Sequence, residues 1–70
     1  MKVIDFKLTS DFIPLIQLLK FTGVAESGAH ASELVVQQQV QCNGHTELRK
    51  RYKVVSGDAI QTGDYLIKVS

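Results

Sequence analysis

QQQVQCNGHTELRKRYK, from Gln37 to Lys53, holds the strongest turn signal of the chain and its only concentration of charge. Asn43-Gly44 lies between short runs of strand-forming residues. Both central positions of a two-residue type I′ turn need positive φ, which Asn and Gly tolerate best, so the pair predicts a β-hairpin. Its first strand is Val40-Gln41-Cys42, and its second runs through Leu48 toward Val54. Four of the eight basic residues, Arg49, Lys50, Arg51 and Lys53, fall within five positions. That run carries +4 and the remainder, four Lys against seven Asp and Glu, carries −3, so a net charge of +1 hides a polarised molecule.

Upstream of the hairpin, Met1 to Leu8 alternates, with Ile4, Phe6 and Leu8 on one side and Val3, Asp5 and Lys7 on the other, which predicts a half-buried strand. Thr9-Ser10-Asp11 offers helix N-cap oxygens. Phe12, Leu15, Ile16 and Leu19 then recur at helical spacing, with Pro14 in the first turn and Gly23 as the residue that closes the helix. Ser27 caps a second helix, whose apolar stripe is Ala31, Leu34 and Val35. Gly28, Ala29 and Ala31 leave its first turn uncluttered, so its amides and positive dipole end can approach a phosphate.

Downstream, Ser56-Gly57-Asp58 is a second turn, Ala59 to Gln61 a short strand, and Thr62-Gly63-Asp64 a third turn. Tyr65 to Val69 forms a last strand that can pair with the first and tie both termini into one sheet. The order β-α-α-β-β-β-β predicts an α+β fold. Two helices from the N-terminal half pack on one face of a small, mostly antiparallel sheet of about four to five strands.

Seventy residues make one domain, 1–70, with a marginal core. One cysteine forms no internal disulfide, and two histidines with one thiol make no structural zinc site, so neither a metal nor a cofactor is expected. No apolar run approaches the ~20 residues of a membrane span. The opening MKVIDFKLTSDF lacks a signal-peptide apolar stretch, so the expectation is a cytoplasmic protein with Cys42 reduced. No phosphate-binding loop, GxSxG or HExxH pattern occurs, and no catalytic residue is assigned. His30 and His45 read as polar surface residues, Cys42 as a small buried hydrophobe, and Asp58 and Asp64 as turn residues.

If the basic run lies on a strand, Arg49, Arg51 and Lys53 share one face and Lys50 and Tyr52 the other. Cations at alternate positions are then about 7 Å apart, close to the spacing of successive phosphates in a nucleic acid strand. Arginine adds bidentate phosphate recognition, and Tyr52 can stack on an unpaired base. The plainer alternative is a solvated edge that discourages strand-to-strand aggregation.

Ser27, Ala31, Leu34, Val35, Val40, Asn43-Gly44, Tyr52, Val54 and Gly57-Asp58 together resemble the alpha-L motif of the RNA-binding domain named after small-subunit ribosomal protein S-four. The resemblance runs without gaps from about Pro14 to Ile60, with Leu15, Leu19 and Gly23 also in place. Leu18 to Lys20 (LLK), Glu26 to Ala29 (ESGA), and Arg49 to Arg51 (RKR) followed by Lys53-Val54 are similar to a small stand-alone bacterial subfamily, the YbcJ-like proteins. The resemblance implies a non-catalytic module that binds structured RNA, ribosomal or otherwise non-coding, through the helix-helix face and the hairpin. The contact residues it implies are Lys20, Ser27, Gly28, His30, Asn43, Arg49, Lys50, Arg51, Tyr52 and Lys53. The chain departs from the wider family at Pro14, where a basic residue is usual, and at Ile16, where an acid is usual. It also departs at Gly28 and Ser32, which are usually Arg, and at Gln38, where the second helix usually ends in Gly. These departures shift the expected contact toward the basic run.

The competing expectation is a small protein-interaction adaptor without RNA affinity, using Asp5, Asp11, Glu26 and Glu33. Neither reading requires a small-molecule substrate or a membrane. A sulfur-carrier-like domain is disfavoured by the ending Lys68-Val69-Ser70, which lacks Gly-Gly.

Overall fold

A computed structural model describes every residue from Met1 to Ser70. The elements in chain order are β1 (Lys2–Phe6), β2 (Ile13–Pro14), α1 (Leu15–Phe21), α2 (Gly28–Val36), β3 (Val40–Cys42), β4 (His45–Thr46), β5 (Lys53–Val54), β6 (Ala59–Thr62) and β7 (Tyr65–Val69). Five strands form one sheet in the order β1-β7-β6-β3-β4, and β2 pairs with β5 in a separate two-stranded ladder. β1 and β7 run parallel, with Ile4 opposite Ile67 and Phe6 opposite Val69. Every other pairing is antiparallel. The expected α+β architecture and the joining of both termini in one sheet are both present, with Leu8 N–H donating to Ser70 O (2.8 Å) and Ser70 N–H to Phe6 O (2.9 Å).

Alternation decides which sheet face is buried. Val40 and Cys42, Ile60, and Ile67 and Val69 point inward, while Gln41 and Lys68 point to solvent. Against the inward face pack Leu15, Leu18 and Leu19 of α1 and Ala31 and Val35 of α2, all fully buried in one apolar cluster. Each such leucine contributes about 1.5–3 kcal/mol relative to exposure, and few residues share the work, so single truncations are costly.

The hairpin turn forms as the dipeptide predicts, with φ of 52° at Asn43 and 86° at Gly44. Ser27 caps α2, its Oγ accepting from His30 N–H at 3.1 Å. Gly23, with φ 81°, closes α1. At the end of α2 the residue requiring the left-handed conformation is Gln38, at φ 60°. Its N–H donates to Val35 O (3.0 Å) and Gln39 N–H to Leu34 O (3.0 Å), the paired bonds of a Schellman motif made without the usual glycine.

Two expectations are corrected. The first helix begins at Leu15, not after Thr9-Ser10-Asp11. Proline disfavours helical backbone at the residue before it, so Ile13 and Pro14 stay extended and pair with Val54 and Lys53. Ser10 Oγ accordingly donates to Phe12 O (2.9 Å) and caps nothing, and Phe12 falls outside the helical stripe, 40% exposed. The second strand of the hairpin ends at Thr46 instead of continuing through Leu48 toward Val54. Residues 47–52 leave the sheet, and only Lys53–Val54 returns to extended pairing, against β2.

Candidate nucleic-acid interface

The path of residues 47–53 follows from the start of α1. Pro14 supplies no side-chain cap, so the first amides of the helix need acceptors from elsewhere. Leu15 N–H donates to Tyr52 O (2.9 Å) and Ile16 N–H to Lys50 O (3.2 Å). A turn closed by Tyr52 N–H on Arg49 O (3.1 Å) presents both carbonyls to the helix. In a continuous strand these two carbonyls would be used along the sheet. Residues 49–52 are therefore a turn docked on the helix start, only Lys53 of the basic run lies on a strand, and no ladder of cations along a strand face exists.

This docking brings distant residues together. Lys20 and Arg51 line one groove of ≈ 380 Å³ with Pro14, Ile16, Gln17 and Gly28. Pro14, the residue before α1, and Gln17 and Lys20 within it are spaced every third residue and line the groove together. Gly28 opens the first turn of α2, with no atom within 4 Å of where a Cβ would stand. Arg51 also lines an adjoining hollow of ≈ 490 Å³ with Arg49, Tyr52 and Lys53. Lys50 is exposed in the same turn, next to Arg49 and Arg51 in the chain. Lys20, Gly28 and the four residues around Tyr52 thus form one continuous cationic margin, centred on Arg51.

Arg49 is engaged within the protein. Its Nε and Nη2 donate to the Glu47 carboxylate at 3.0 and 3.1 Å, its backbone N–H donates to the same group at 3.0 Å, and its guanidinium lies 5.1 Å from the centre of the Tyr52 ring. The bidentate bonds from Arg49 hold the Glu47 carboxyl below its ordinary pKa. Glu47, two residues before the basic run, is a residue that sequence reasoning missed here, and it leaves Lys20, Lys50, Arg51 and Lys53 as the cations of this margin without an ion-pair partner. Gln17 was missed as well; its signal is the three-residue spacing to Pro14 and Lys20.

Tyr52 is anchored rather than free. Its hydroxyl donates to Asp58 Oδ2 (3.2 Å), and its ring carries Arg49 on one face. The neighbouring Cys42 thiol, burial and the Asp58 carboxylate together raise the phenol pKa beyond the ordinary range, and burial raises that of Cys42. Asp58, 9% exposed, also accepts from Val55 N–H (3.0 Å) and Asn43 Nδ2 (3.0 Å), while Asn43 Oδ1 accepts from Ala59 N–H (2.9 Å). Asn43 and Tyr52 thereby tie the hairpin and the basic turn to the 55–58 turn. Ser27 serves as the cap of α2 beside Gly28. His30 accepts from Glu26 N–H through Nδ1 (3.1 Å) and lines a different hollow, with Val24, Leu34 and Asp64. It is not part of the Lys20–Arg51 groove.

The model of the S4 domain matches residues 6–70. The chain belongs to the S4 domain family. Within that family it is similar to YbcJ of Escherichia coli (strain K12), named as a candidate RNA-binding protein, with 37% identity over 57 residues, 81% of each chain. YbcJ of Shigella flexneri aligns with the same identity and coverage. The solution structure of Escherichia coli YbcJ, described as revealing an alpha-L motif involved in RNA binding, matches with a TM-score of 0.74 and 33% identity, covering 99% of this chain and 89% of that one. The family and its alpha-L fold agree with the resemblance carried by Ser27 to Asp58. No helix is long and apolar enough to cross a membrane.

Proposed function

We propose that residues 1–70 act as one non-catalytic module that binds structured RNA through the cationic margin centred on Arg51. The observation that carries this reading is the meeting of Lys20, from α1, and Arg51, from the basic turn, across the open first turn of α2 at Gly28. Two cations from separate elements over an unobstructed helix start suit phosphates whose spacing is set by a folded RNA. The RNA binding named for YbcJ of Escherichia coli supports the same reading. Lys50 and Lys53 extend the contact, and Arg51 recognises phosphate with a bidentate guanidinium. The relevant RNA is ribosomal or another structured non-coding RNA, and the setting is cytoplasmic.

The test is a fluorescence-anisotropy titration against a ribosomal RNA helix-loop fragment and a single-stranded control, across salt concentrations. Four free cations predict a slope of log affinity on log salt near −3, at about 0.7–0.9 per phosphate. Arg51→Glu should weaken binding at least tenfold and flatten the slope, with the circular dichroism spectrum unchanged. Glu47→Gln should release Arg49 and steepen the slope by about one contact. Equal affinity of Arg51→Glu and the parent chain would overturn the assignment. Retention of a protein partner from nuclease-treated lysate, with no RNA affinity at low salt, would favour the adaptor instead.

A further inference from the structure

The Lys20–Arg51 groove does not end at α1. Pro14 and Gln17 form a ridge whose other side borders a second hollow of ≈ 530 Å³, opening between the β1–β2 connection and α1. Its walls are Phe6, Leu8, Phe12, Ile13 and Phe21, and no lining residue is acidic. Phe12 is 40% exposed and Phe21 71% exposed, although the apolar core lies beside them. Phe6 and Phe21 meet edge to face, with ring centres 6.1 Å apart and planes at 70°, so Phe21 stands as a wall supported from within. The Lys53 ammonium, from β5, sits 5.0 Å from the centre of the Phe12 ring, so a cation of the basic run lies against one of the aromatic walls.

We propose that this hollow receives an unpaired nucleobase, extruded from the RNA whose phosphates lie along Lys20 and Arg51. The inference rests on the RNA-binding reading and specifies the class of RNA: a helix interrupted by a bulge or flanked by a single-stranded nucleotide. A flipped base presents a π-face to aromatic rings and polar edges to side chains. Phe12 and Phe21 offer the rings, and Thr9 and Gln17, on the same lining, offer a hydroxyl and an amide for the edges. The base cannot arrive without its own phosphate, and Lys53 stands where that phosphate emerges. Continuity with the cationic groove and the absence of acidic lining distinguish this occupant from an apolar peptide, which needs no cation against an aromatic wall.

The experiment compares a fully paired RNA hairpin with the same hairpin carrying one bulged 2-aminopurine, by anisotropy and by 2-aminopurine fluorescence. One base stacked on aromatic side chains should tighten binding of the bulged RNA by about five- to a hundredfold and quench its fluorescence. Phe12→Leu and Phe21→Leu keep the apolar volume but remove the flat rings; together they should abolish the preference and the quenching while leaving affinity for the paired hairpin within about twofold. Equal binding of the two hairpins by the parent chain, with the expected salt slope, would overturn this inference and leave the RNA-binding reading standing. Preference retained in the double variant would also overturn it, as would a change of oligomeric state in that variant with no change in bulge preference. Loss of binding to both hairpins by the parent chain would remove the RNA-binding reading itself and this inference with it.

Discussion

Replacing Asp58 should loosen the margin and lower the stability of the whole domain. The carboxylate accepts from Asn43 Nδ2 on one oxygen, and from the Tyr52 hydroxyl and Val55 N–H on the other, at 3.0, 3.2 and 3.0 Å. Asp58, itself 9% exposed, is the shared acceptor of all three donors, and Asp58→Ala removes it. Asn43 and Val55 are exposed and Tyr52 half-buried, so water can reach the freed donors. The cost is that of three lost hydrogen bonds to one charged group, at about 0.5–1.5 kcal/mol each and not independent, about 2–4 kcal/mol in all. A chain of 70 residues has a total stability of only about 4–10 kcal/mol, so that loss is a large fraction of the whole. Asp58→Asn tests the geometry more finely. Its amide group must face either Asn43 Nδ2 or the Tyr52 and Val55 donors, and turning Asn43 over would break its bond to Ala59 N–H, so a loss of about 2 kcal/mol is expected. Urea denaturation followed by circular dichroism should show a lower midpoint with an unchanged slope for Asp58→Asn. A midpoint for Asp58→Ala equivalent to less than about 0.5 kcal/mol of change would refute the view that this carboxylate joins the hairpin, the basic turn and the 55–58 turn.

Gln38→Gly should stabilise the protein by about 1 kcal/mol, because it removes a side chain from φ 60° at the end of α2 while retaining both Schellman bonds; thermal melts compare the two chains, and an unchanged or lower midpoint counts against the strain. Stability should decline on both sides of a neutral plateau. The folded-state pKa of Cys42 and Tyr52 is raised above ordinary values of 9.0 and 10.0, so their contributions are complete below those values and are lost as pH rises through the folded ones. The folded-state pKa of Glu47 is lowered from 4.5, so its contribution is present above that value and is lost as acidification proceeds below it. Urea midpoints measured from about pH 3 to about pH 11 should therefore fall at both ends, with Tyr52→Phe removing part of the alkaline fall and Glu47→Gln part of the acid one.

What the sequence determined is local. Asn43-Gly44 forms its turn because two successive positive φ angles exclude most other pairs. Ser27 caps α2 by bonding three residues ahead, and alternation in β1, β3 and β7 assigns one face to the core. Those features, in their order, also sufficed to recognise the family. What only the tertiary structure decided concerns groups whose partners lie far along the chain. β1 pairs in parallel with β7, a register that nothing within either strand specifies. Arg49 to Lys53 carries a strand-like pattern of charge, yet residues 49–52 become a turn because Pro14 leaves the amides of Leu15 and Ile16 without a side-chain cap and the carbonyls of Tyr52 and Lys50 satisfy them. Backbone polar groups must be paired wherever they are buried, and that requirement, met from more than thirty residues away, placed Arg51 beside Lys20.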